Sequence, residues 1–172
     1  MATTVVSSRN PFSLVQEAQQ SIPVNVDALA RQFDLRVRRH PMADNLAGML
    51  TWSENGWTVT VNSNHAESRQ RFTLAHEIGH FLLHRDRLER GTNDTNGYTV
   101  TAEADGYNDR IDAHAEQEAN QFATALLMPE ERVADVCRAF RCNDAEPVAR
   151  LFKVSAHAMT VRMAYLRERG RL

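Results

Sequence analysis

Residues 71–84, RFTLAHEIGHFLLH, limit what this chain can become more than any other stretch, because they fix a helix and a chemistry together. Phe72, Ala75, Ile78, Gly79, Leu82 and Leu83 recur at helical spacing, and Asn64 with Glu67 supplies a capping pair. The pattern therefore predicts one buried helix over residues 64–85. Within it stands H-E-x-x-H. At 3.6 residues per turn His76 and His80 lie one above the other, so two imidazoles can reach one ion at Zn–N distances of about 2.0 to 2.1 Å. Glu77 sits beside them, placed to take a proton from a water whose pKa zinc lowers to about 7. This is the logic of a zinc hydrolase.

A tetrahedral site needs a further protein ligand. His84 continues the stripe but stands about 12 Å along the axis from His76, so one ion cannot take all three imidazoles. Its expected place is the helix end, where a donor or cationic side chain suits the exposed carbonyls. A second helix over residues 111–129 offers a carboxylate instead. Ala115, Ala119, Phe122, Ala123 and Leu126 form its apolar face, Asp112 can cap it, and Pro129 prevents simple continuation. Glu116 and Asn120 are one turn apart on an edge shared with small alanines that let another helix come close. Glu116 is the expected metal ligand, and Asn120 the residue that orients a ligand imidazole through its other nitrogen. Glu118 lies roughly 200° around the same helix, so only one of the two acids can face the ion.

The run RFTLAHEIGHFLLH followed by EQEANQFATALLMP resembles the ImmA/IrrE family of zinc metallopeptidases. Residues 22–30, IPVNVDALA, are a short helical segment of the type with which that family tends to begin, so the resemblance covers most of the chain. It implies that His76, His80 and Glu116 hold Zn²⁺ and that Glu77 is the catalytic base. Family members commonly act on, or are encoded beside, helix-turn-helix repressors in mobile elements, stress responses and toxin–antitoxin pairs. The resemblance thus implies regulatory proteolysis of such a repressor or antitoxin. Two alternatives stand beside it: a metal-stabilised toxin or binding partner of an Xre-type antitoxin with little proteolysis, and a DNA-binding regulator working through the carboxy-terminal helices. Peptide hydrolysis also asks for a donor to the developing oxyanion. Tyr98, Tyr107, Arg110 and His114 are the candidates, and His114, on the same helix as Glu116, is the choice.

The rest of the sequence reads as support. Residues 12–20 and 26–33 are expected helices. Residues 35–40 alternate apolar and basic side chains, and residues 47–52 and 57–61 flank the turn signal Glu54-Asn-Gly56, which predicts a three-stranded antiparallel meander. The expected fold class is α+β, a small antiparallel sheet packed on a helical bundle that carries the H-E-x-x-H helix. One domain over residues 1–172 is expected, with residues 130–172 as a helical carboxy-terminal subregion. There, helices over 145–152 and 156–169 flank the turn 153–155 in a helix-turn-helix-like arrangement.

Residues 86–110 form a long polar connection, read as a flap or surface insertion with a short strand near 98–102. Cys137 and Cys142 make no disulfide framework and read as reduced thiols. A net charge of -2 and a pI near 6.4 argue against a chain that mainly grips nucleic acid. Neither a leader peptide nor a run of about 18 apolar residues stands out, which predicts a cytoplasmic protein without a membrane span.

Overall fold

Residues 10–89, 98–99 and 113–172 are described in a computed structural model. In chain order they form α1 (Pro11–Ala18), α2 (Val26–Gln32), β1 (Arg36–His40), β2 (Gly48–Ser53), β3 (Gly56–Asn62), α3 (Glu67–Glu89), β4 (Tyr98–Thr99), α4 (Ala113–Leu127), α5 (Glu130–Phe140), α6 (Ala145–Phe152) and α7 (Ala156–Glu168). The class is α+β. Local chemistry starts the first helices. Asn10 and Asn25 accept hydrogen bonds from Phe12 N and Ala28 N, and Pro11 fills the first turn of α1, where a missing N–H costs nothing.

The sheet is mixed, not the antiparallel meander expected from the sequence, and its order is β1-β3-β2-β4. The hairpin holds: β2 and β3 pair antiparallel from Gly48↔Val61 to Ser53↔Gly56, and Gly56, at φ 95°, turns the corner. Strand β1, however, runs parallel to β3, from Arg36↔Thr58 to His40↔Asn62. The chain leaving β1 must therefore pass around the end of β3 to enter β2 on its other side. Asn62, fully buried, holds that passage. Its Nδ2 donates to the Ala43 and Leu46 carbonyls at 3.0 and 2.7 Å, and its Oδ1 accepts from Met42 N and Asn64 N. A buried amide with this many partners is favourable where an unpaired one would cost a few kcal/mol, on the order of 1 to 3.

Helix α3 lies on this sheet through Leu74 and Ile78, which join Leu50, Val59 and Val61 in one core. Its start differs from the expected capping pair. Asn64 Nδ2 donates to the Met42 carbonyl, while the first turn closes through Gln70 N to the Ala66 carbonyl. Its end differs too, since the helix continues to Glu89. Of the expected flap, residues 90–97 and 100–110 lie outside the described residues, as do Tyr107, Arg110 and Asp112. Tyr98 and Thr99 pair with Trp52 and Thr51 of β2.

Beyond Pro129, α5 opens with Glu130 and Glu131, which suit its positive end, and closes on Arg141 in the left-handed region. Helices α6 and α7 meet across Lys153, also left-handed at φ 53°, with Ser155 capping α7 by accepting from Ala158 N. Phe152 of α6 and Met159, Met163 and Leu166 of α7 are fully buried and join the common core. Cys137 is buried in this region and both cysteines are free thiols. Among the described residues no helix is long and apolar enough to cross a membrane.

Candidate metal centre

Helices α3 and α4 meet through small residues. A Cβ on Gly79 would stand 3.1 Å from Phe122 Cδ1 and 3.2 and 3.3 Å from the Cα and carbonyl oxygen of Ala119. Glycine on one helix and alanine on the other thus bring the two backbones close enough for polar side chains from both to converge. Three of them do. His76 Nε2 and His80 Nε2 approach to 2.9 Å, and the two oxygens of Glu116 lie 3.4 Å from the first and 3.3 Å from the second. These ligand-type atoms all fall within 4.8 Å of one another. Both imidazoles are fully buried, whereas the Glu116 side chain is 40% exposed, so the cluster opens to solvent on its carboxylate side.

The chemistry of this donor set fits a cation. His76 Nδ1 lies 3.0 Å from Asn120 Oδ1, an acceptor, so that ring nitrogen carries the proton and Nε2 presents its lone pair inward. Imidazole lone pairs and carboxylate oxygens converging in this way need a positive charge among them. Burial holds His80 below the ordinary imidazole value, against the pull of Glu116.

Glu77 is fully buried beside the pair. The start of β2 passes over it without a side chain: a Cβ on Gly48 would collide with Thr73 Cγ2, approach the Thr60 carbonyl to 2.9 Å and stand 3.7 Å from Glu77 Oε1. Gly48 was not foreseen from the sequence, and no local pattern marks it.

One residue stands elsewhere than the sequence suggested. His84 is not at an exposed helix end. Because α3 runs on to Glu89, His84 is an interior position, 3% exposed, with Nδ1 3.2 Å from His80 Nδ1 and Nε2 3.1 Å from Glu118 Oε2. His114, the expected oxyanion donor, is 74% exposed, and its Nδ1 lies 3.2 Å from Glu118 Oε2. Glu118 itself is outside the cluster of three and joins these two histidines instead. The third imidazole at the same helical spacing, His84 after His80, was the available signal for this arrangement.

Comparison with known proteins agrees with the geometry. A family model described as the IrrE N-terminal-like domain, Peptidase_M78, matches residues 30–164. The radiation response metalloprotease IrrE of Deinococcus deserti is 40% identical over 83 residues, 48% of this chain and 26% of that protein. The protein of the same name from Deinococcus radiodurans is 36% identical over 83 residues, 48% of this chain and 22% of its own length. The matched segment, about half of this chain, thus spans only about a quarter of the length of these curated relatives. In three dimensions it is similar to a Mycobacterium tuberculosis transcriptional regulator, with TM-score 0.56 and 15% identity over 89% of this chain and 46% of that one. That likeness is one of fold.

Proposed function

This chain belongs to the IrrE N-terminal-like family of metallopeptidases, and on that premise we propose that it is a zinc-dependent endopeptidase that cleaves a regulatory protein, a helix-turn-helix repressor or antitoxin. The observation that carries the reading is the convergence of His76, His80 and Glu116 beside the buried carboxylate of Glu77.

His76, His80 and Glu116 would hold the ion, with Asn120 fixing the His76 ring. A zinc ion bound there supplies Lewis acidity, polarising a carbonyl and lowering the pKa of water to about 7. Glu77 takes the proton of the attacking water and returns it to the leaving amine. The exposed side of Glu116 marks the direction from which an extended substrate enters. With His114 Nδ1 tied to Glu118, any donation by this residue to the oxyanion comes from Nε2. The choice of a helix-turn-helix repressor rests on the family resemblance. A stress-response setting rests on the matched relatives, both named as radiation response metalloproteases.

The test is co-expression with the helix-turn-helix regulators of the same genome, the neighbouring gene product first, using wild type and Glu77→Gln and reading intact mass. Wild type should give one defined fragment pair, and Glu77→Gln should slow its appearance by about 10²- to 10⁴-fold. Equal cleavage by both forms would remove Glu77 as the base. An intact regulator that co-purifies with both would favour a metal-stabilised binding partner.

A further inference from the structure

We infer that His84 and Glu118 form a relay that fixes the tautomer of His80 and so decides which of its nitrogens faces the ion. The inference rests on the reading of His76, His80 and Glu116 as metal ligands and adds two positioning residues to it.

The direction of the relay follows from counting donors. An ionised carboxylate only accepts, so His84 Nε2, 3.1 Å from Glu118 Oε2, must carry a proton. In the neutral form His84 has one N–H, which leaves its Nδ1 bare, and the relay is a property of that form. His80 Nδ1, 3.2 Å away, must then donate to it, and His80 Nε2 is left with its lone pair. That Nε2 is the atom 3.3 Å from Glu116 and 2.9 Å from His76 Nε2. Running the relay backwards would set the lone pair of His84 Nε2 against a carboxylate oxygen, two acceptors with no proton between them. His114 Nδ1, also on Glu118 Oε2, meets the acceptor end of the same chain.

Burial makes the arrangement binding on the protein. His84 is 3% exposed, and its Nδ1 lies 3.2 Å from His80 Nδ1. Losing that acceptor would leave a buried N–H unpaired. The two imidazoles are also held differently: His76 by the neutral amide of Asn120, His80 by a carboxylate acting through a second ring. Hydrogen bonding to a carboxylate raises the basicity of a ligand imidazole, so His80 should be the stronger donor of the two.

The experiment measures zinc affinity of the full chain by competition with a chromophoric chelator, together with the ring N–H resonances of the zinc-loaded protein. Wild type should show slowly exchanging Nδ1–H protons for both His76 and His80. His84→Leu should bind zinc about 10- to 100-fold more weakly and lose the protected His80 proton while keeping that of His76. A role in packing alone would leave the His80 proton in place. Should metal-free His84→Leu fail to fold, Glu118→Leu serves instead, because its side chain is 42% exposed and carries little of the core. Its expected loss is at the lower end, about 10-fold. Wild-type affinity and a protected His80 proton in the folded variants would overturn the relay and leave the metal centre standing. Failure of wild type itself to bind zinc would overturn both.

Discussion

Two helix pairs in this molecule are built on opposite terms. Where α3 meets α4, glycine and alanine bring the backbones together and the space beside them is filled by imidazoles and carboxylates. Where α6 meets α7, Phe152, Met159, Met163 and Leu166 fill the interior, and polar groups are kept for the caps and the outside. The first pair gives up apolar contact to gather ligand atoms. The second gathers apolar contact and little else. The difference predicts that damage to the first should register mainly as lost metal, and damage to the second mainly as lost stability.

The largest effect should come from the apolar pair. Phe152→Ala removes a fully buried ring and should lower unfolding free energy by about 3 to 5 kcal/mol in a urea titration. Zinc affinity of the fraction that remains folded should be unchanged; a parallel fall would mean that the two pairs are one unit. Gly79→Ala probes the other pair. Its methyl meets the backbone of Ala119, which cannot yield as a flexible side chain does. Overpacking of about 1 to 3 kcal/mol is partly offset by about 1 kcal/mol of helix propensity. Net destabilisation should therefore be modest while zinc affinity falls clearly. A more stable variant with unchanged zinc affinity would show that the spacing of the helices is set elsewhere.

The smallest effect concerns the tie between the two regions. Lys153, at the cap of α6, pairs with Glu67 at the start of α3 at 3.0 Å, and both side chains are exposed. The hydrogen bond and charge of Lys153 hold the Glu67 carboxyl below its ordinary value of 4.5. The pair therefore stabilises the fold above that value and loses its effect as pH falls through the lowered one. Melting temperatures of wild type and Lys153→Met should differ slightly at pH 7, less at high salt, and converge as the pH falls through the lowered Glu67 value.

Legibility from sequence followed the range of each interaction. His76, Glu77 and His80 belong to one helical turn and its neighbour, and Glu116 and Asn120 to another, so helical spacing was enough to propose them. The hairpin of β2 and β3 is equally local. What escaped was non-local or depended on a boundary. Parallel pairing of β1 with β3 requires the passage held by Asn62, and nothing in the sequence of β1 specifies its neighbour. His84 is an interior position because α3 continues past residue 85 to Glu89. In the helix-turn-helix-like region 145–169, Arg162 and Arg167 donate to the Met128 and Asn143 carbonyls, Arg171 pairs with Glu130, and Arg169 lies over Tyr165, long-range ties that helical spacing does not announce.

Gly48 bears on how far function can be transferred between sequences. Motif searches weigh H-E-x-x-H, yet the clearance between strand and helix at Glu77 depends on a residue nineteen positions before α3 begins at Glu67. A side chain at position 48 would lift the start of β2 from α3, and its pairing with Val61, next to the buried Asn62, would carry the shift into the loop after β1. A homologue with an intact motif but a bulky residue at this point has inherited the ligands without the floor beneath them, and its activity should be measured before it is assumed.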